Sequence, residues 1–177
     1  MDKRSELRWD WLSLDAPDLA QQCHLGATQA QLERFADHLA HGSAIGDALI
    51  YLVGDLGAGK TTLVRQMMRT LGYAGRVKSP SYALMETYLL ANKAGTDSHG
   101  LSVYHFDFYR LDKAQEWEDA GFRDIFGGPG LKMVEWPEKV ADSLPVPDCV
   151  IHLTVDTEWT RDLTAKAFSP LGAALLV

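Results

Sequence analysis

The segment Gly54-Asp55-Leu56-Gly57-Ala58-Gly59-Lys60-Thr61 carries residue types and a spacing that can hold a phosphate chain. It fits the Walker A pattern, in which two glycines bracket four residues ahead of Lys-Ser/Thr. Glycine permits backbone turns closed to other residues, so successive N–H groups can converge on phosphate oxygens. A helix opening near Lys60 adds its own unpaired donors. In such a loop Asp55, Leu56, Gly57, Ala58 and Gly59 form the cradle, Lys60 reaches the β and γ phosphates of ATP, and the Thr61 hydroxyl ligates Mg2+. Thr62 stands either at the α phosphate or at an ordinary early helical position. A plain glycine turn capping a helix is the simpler reading, but it leaves a lysine beside three glycines without a purpose.

A magnesium-bound nucleotide also needs a carboxylate at the end of a nearby strand. Asp107 closes the apolar run Leu101 to Phe106, and Glu135 closes Leu131 to Val134. Each could be an ordinary strand-end charge. As a pair they divide into one metal-associated group and one that orients water or also reaches the metal. Lys60, Asp107 and Glu135 are therefore the catalytic candidates, with Thr61, Asp107 and Glu135 as the metal ligands. Lys78-Ser79-Pro80-Ser81-Tyr82 lies where nucleotide switches often carry a hydroxyl sensitive to the γ phosphate, although a proline-containing loop needs no such role. His105 and Trp136 flank the two carboxylates and read as packing and supporting hydrogen-bond residues rather than as bases.

Positioning these groups requires a strand, the loop and a helix in immediate succession. Ala48 to Val53 is the apolar run of a buried strand, and Leu63, Val64, Met67, Met68 and Leu71 have helical spacing. An earlier helix begins at Thr28, which with Gln31 resembles a capping box, and ends near His41-Gly42. Tyr82 to Leu90 and Leu101 to Phe106 are expected strands, with Ala91 to Gly100 between them. Residues 111 to 126 are acidic and partly helical, and Gly127-Gly128-Pro129-Gly130 breaks the chain before the strand Leu131 to Glu135. Cys149 to Val155, Leu163 to Phe168 and the apolar Ala173 to Val177 read as late strands. No crossover helix fits between residues 82 and 107, so the sheet should be mixed. The expected class is α/β, a three-layer domain with a mixed central sheet.

At 177 residues and 46 % hydrophobic content the chain suits one compact domain. Cys23 and Cys149 form no C-x-x-C pair, which excludes a zinc framework and favours a reducing compartment. The charged N-terminus with Trp9 and Trp11 is unlike a signal peptide, and no apolar run approaches a membrane span. A cytoplasmic protein without a membrane role is expected. The formal net charge of -7 repels free polyanions on average, and the basic residues are scattered singly along the sequence.

The sequence resembles the bacterial TsaE (YjeE) family, the P-loop ATPase of tRNA threonylcarbamoyladenosine (t6A) biosynthesis. The matching blocks are Gly54 to Thr62, Val77-Lys78-Ser79-Pro80-Ser81-Tyr82, Tyr104-His105-Phe106-Asp107-Phe108-Tyr109-Arg110-Leu111, Gly121-Phe122-Arg123-Asp124 and Val134-Glu135-Trp136-Pro137-Glu138-Lys139. Walker A alone is common, whereas these later blocks in this order are specific. Residues 1–27, of weak periodicity, are expected as an N-terminal lead-in, extended or a short strand, before a single P-loop ATPase domain over 28–177. The resemblance, which spans about residues 28 to 161, implies a P-loop NTPase-like fold. It implies ATP and Mg2+ as cofactors, Thr61 as the metal-ligating hydroxyl, Asp107 as the essential strand-end aspartate and Glu135 as the second carboxylate at the metal. It further implies that Thr28 lies by the nucleotide and Arg161 near its adenine side. Ser81 stands where the family usually has Thr.

The same resemblance implies an accessory ATPase that docks on the TsaB and TsaD proteins and resets their complex, slow without those partners and meeting tRNA only indirectly. Two other readings compete. A small-molecule P-loop kinase would need an arginine-rich lid, and residues 111 to 130 offer only Arg123. A nucleotide-dependent switch with little turnover would suit the lack of an evident arginine finger.

Overall fold

The computed structural model describes residues 20–91, 100–111, 116–117 and 120–177. Trp9, Trp11, most of the Ala91 to Gly100 connection and parts of the 111–126 segment lie outside the described residues. Seven strands form one sheet: β1 (Ala20–Thr28), β2 (Leu49–Val53), β3 (Met85–Leu90), β4 (Leu101–Asp107), β5 (Leu131–Glu135), β6 (Cys149–Val155) and β7 (Thr160–Ala167). Their spatial order is β1-β7-β6-β2-β5-β4-β3. The central four, β6, β2, β5 and β4, run parallel, while β3 on one flank and β7 and β1 on the other are antiparallel to their neighbours. The expected three-layer α/β domain with a mixed sheet is the one observed.

The layers follow from the period-two alternation of strand side chains. In β2, Ile50 and Leu52 enter one core and Leu49 and Tyr51 the other. The first core is covered by α1 (Gln29–His41), α2 (Lys60–Thr70) and α4 (Pro170–Leu176), through Phe35, Leu39, Leu63, Met67 and Leu175 among others. The second lies under the short α3 (Arg123–Gly127) and a 3-10 segment over Pro137–Ser143, and is largely aromatic: Phe106 and Phe122 meet edge to face at 5.3 Å, as do Phe108 and Trp117 at 5.4 Å.

Two expected strands differ. Ala173 to Val177 belongs to the helix α4, capped by the Ser169 side chain accepting from the Gly172 N–H at 3.0 Å, with Pro170 in the first turn. A five-residue apolar run does not distinguish strand from helix, and the Ser-Pro helix-start signal before it decides the matter. The strand expected from Tyr82 begins only at Met85. Leu84 takes φ 64° and its N–H donates to the Pro80 carbonyl at 2.7 Å, so residues 80–84 form a turn that leaves Tyr82 exposed.

Candidate nucleotide site

β2, β4 and β5 are parallel and adjacent, so their carboxyl ends open on the same sheet edge, the usual place for a ligand in an open α/β fold. Asp107 and Glu135 are direct register partners there. Parity sets their direction: Glu135 follows Leu131 and Met133, and Asp107 follows Val103, all of which face the core under α2. Both carboxylates therefore come up on the face where α2 begins. The loop from Gly54 delivers that helix. Gly54 has φ 148°, and a Cβ there would stand 2.2 Å from the Leu153 carbonyl oxygen, so only glycine lets the loop cross the end of β6.

Thr61, in the first turn of α2, donates its hydroxyl to Glu135, with oxygens at 2.8 and 2.9 Å. Glu135 is 3 % exposed and also accepts from His105 Nε2 at 2.8 Å. With Nε2 as donor, the buried Nδ1 is the bare nitrogen, in keeping with its lack of a partner among the described residues. Asp107, also 3 % exposed, accepts from Ser79, from Ser81 at 2.8 Å and from the Tyr109 N–H at 3.0 Å. The strand-end carboxylate is thus tied to the 79–81 loop. Lys60 is buried, with its ammonium 4.0 Å from the Trp136 ring centroid and donating to the carbonyls of Gly54 and of Asp55, the latter at 2.9 Å. Burial pulls the Lys60 ammonium below its ordinary range, and the carboxylates of Glu135, Glu138, Asp107 and Asp55 oppose that shift.

Two clefts meet at Gly57 and Gly59. One, of about 230 Å3, is bounded by Thr61, Ser79, Asp107, Glu135 and Trp136. The other, of about 310 Å3, lies between Gln29 and Leu32 of α1, Trp159 and Arg161. Thr62, exposed, borders both. Gly57 and Gly59 have φ 83° and 109°, and a Cβ on either would point into open space, so the concavity is one that side chains leave clear. Asp55 and Leu56 are exposed at its outer lip. Arg161 donates from Nε to the Ala58 carbonyl at 3.2 Å, bracing the loop from behind. Thr28 caps α1, its N–H donating to the Gln31 side chain at 2.9 Å, and sits beside Gln29 at the rim of the second cleft without lining it.

A hard divalent cation suits this donor set, since the Thr61 hydroxyl and the two carboxylates offer oxygen alone. Among the described residues no group of three His, Cys, Asp or Glu side chains could hold a metal ion without help. Mg2+ is commonly held by one or two protein ligands, with phosphate and water completing the octahedron.

The sequence model of the family described as "Threonylcarbamoyl adenosine biosynthesis protein TsaE" matches residues 26–163. The chain belongs to the TsaE family. It is 40 % identical over 128 residues to the tRNA threonylcarbamoyladenosine biosynthesis protein TsaE of Haemophilus influenzae, covering 72 % of this chain and 75 % of that protein. It is 37 % identical over 122 residues to the Bacillus subtilis protein of the same name, covering 69 % and 70 %. Its fold is similar to the crystal structure of Bacillus subtilis YdiB, with a TM-score of 0.68 and 24 % identity over 89 % of this chain and 92 % of that one. The fold is that of a P-loop NTPase-like domain.

Three features of the site escape a reading of side-chain types along the sequence. Trp136 takes a left-handed backbone, φ 58°, immediately after Glu135, and this places its ring over Lys60 and 4.9 Å from Tyr109. Glu138 lies near enough to Lys60 to interact with it, and burial raises its carboxyl above the ordinary range. Trp159, 77 % exposed, borders the second cleft from the β6–β7 turn. The sequence marks Trp136 as a packing neighbour of Glu135 and holds Glu138 within a matching block, but neither position shows its relation to Lys60.

Proposed function

We propose that this chain binds Mg-ATP with its phosphates over Gly57 to Thr61 and its base in the cleft beside Trp159 and Arg161, and hydrolyses it. The reading rests on the meeting of the Thr61 hydroxyl, Glu135 and Asp107 at one sheet edge beside the glycine loop. Lys60, with its ammonium partly desolvated, neutralises the β and γ phosphates. Glu135, oriented by His105, shares the metal side of the site with Thr61. Asp107 orients the attacking water and registers the γ phosphate through Ser79 and Ser81. Magnesium, when bound, offsets the charge that moves onto the leaving phosphate. Arg161 braces the loop, and Thr28 stands at the base end.

The biological role that this chemistry supports is that of an ATPase accessory subunit in t6A modification, binding and resetting the TsaB–TsaD complex. The relatives' names support a place in that modification, and among the described residues Arg161 is the arginine that lines either of the two clefts, its guanidinium engaged with the Ala58 carbonyl, so a site completed by partners is the reading we favour. Phosphate release by the purified chain, alone and with TsaB and TsaD, is the test. Release that rises on adding both proteins is expected. A phosphorylated small molecule as product, or release indifferent to the partners, would contradict the reading.

A further inference from the structure

Four basic residues, Arg65, Arg69, Arg76 and Lys78, stand in one stretch of the sequence that holds no Asp or Glu, and the fold brings them together. Arg65 and Arg69 lie four residues apart, on one face of α2 and about 6 Å along its axis. Arg76 and Lys78 approach them from the segment that connects α2 to the 79–81 loop, and the four side chains line one cleft of about 320 Å3 with Gly75 and Val77. Arg65 donates from Nε to the Val77 carbonyl at 3.3 Å, which fixes one guanidinium against that segment. Among the described residues none of the four pairs with a carboxylate. Arg69 alone would be accounted for as a cation complementing the C-terminal end of a helix. That leaves three others, converging with no paired carboxylate among the described residues, in a chain of net charge -7.

We infer that this cleft is a binding site for the phosphodiester backbone of RNA. Guanidinium groups present paired donors that match phosphate oxygens, and phosphodiesters keep their charge at every accessible pH. Two cations on a helix face opposite two on the connecting segment suit a charged strand running between them. An acidic protein segment would have to bring several flexible carboxylates into the same place at a larger entropy cost. The cleft adjoins the nucleotide site through Lys78 and Ser79 but shares no lining residue with it. The inference therefore stands apart from the ATPase reading.

The experiment is fluorescence anisotropy of an end-labelled, unmodified tRNA transcript titrated with the full chain, without nucleotide, at several salt concentrations. Four contacts should make log K fall with log salt at a slope of about -3. Charge reversal in R69E and R76E should each weaken binding about 10-fold and reduce the slope by about 1. Circular dichroism and thermal melting check that the variants fold. Polyglutamate serves as the competitor and should displace tRNA poorly. Absence of tRNA binding at low salt, binding unchanged in the folded R69E/R76E double variant, or displacement by polyglutamate as effective as by tRNA would each overturn the proposal, the last in favour of an acidic protein surface.

Discussion

Glu135→Gln removes one negative charge while keeping the side-chain volume at a position that is 3 % exposed. In the native protein the carboxylate meets two donors, the Thr61 hydroxyl and His105 Nε2. The amide oxygen can accept from His105 Nε2 while the new NH2 donates to the Thr61 oxygen, since a hydroxyl accepts as well as donates. Two hydrogen bonds to a charged acceptor become neutral ones, so chemical denaturation should register a loss of about 1 kcal/mol. The fold should survive it. Nucleotide binding, carried mainly by the loop and Lys60, should persist, whereas partner-stimulated phosphate release should fall on the order of 100-fold or more. Asp107→Asn should act similarly on release. Because both residues would act on one metal and one water, the double variant should lose much less than the product of the single losses. The assay is phosphate release across the double-mutant cycle. Near-wild-type release from either single variant would remove that residue from the mechanism, and fully multiplicative losses would show that the two do not share a site.

Gly54→Ala should destabilise the protein by about 3 kcal/mol or more in denaturant titration, since the new methyl meets the Leu153 carbonyl at 2.2 Å on a backbone with φ 148°. Asp37 accepts from Gln66 at 2.9 Å and from Thr70, which join α1 to α2, and the Thr70 and then the Gln66 hydrogen bonds hold its carboxyl below the ordinary 3.8. A carboxyl lowered by folding stabilises above its unfolded value and loses that contribution as pH falls through the folded one. Asp37→Ala should thus cost roughly 1 kcal/mol near pH 7 and progressively less below pH 3.8, read from unfolding curves against pH. Burial pushes the Cys149 thiol up to about 12, so in a Cys23→Ser background native protein should resist alkylation at pH 8 and react only on unfolding, followed by mass spectrometry.

The chemistry of the loop was legible in the sequence because its demands are local: glycines where side chains are forbidden, and a strand and helix recognisable by their own periods. Asp107 and Glu135 could be nominated as strand ends, but their pairing is a register fact. It depends on β4 and β5 being parallel neighbours, which composition does not state. The helix at Pro170–Leu176 was hidden because five apolar residues satisfy either period, although Ser169-Pro170 announced it. The basic cleft was partly legible, since Arg65, Arg69, Arg76 and Lys78 share a stretch without Asp or Glu, but their convergence on one cleft depends on how the connection folds back against the helix face.

The account's central claim is that the Gly54 to Thr61 loop, with Lys60 as its cation, holds the phosphates of a magnesium nucleotide. Calorimetric titration of Mg-ATP into the wild-type chain and Lys60→Ala tests it most directly. Saturable 1:1 binding is expected, weakened about 10- to 100-fold by the substitution, as loss of hydrogen bonds from a charged group worth about 1.5–3 kcal/mol requires. No binding to the wild-type chain, or equal affinity in a folded Lys60→Ala variant, would contradict it.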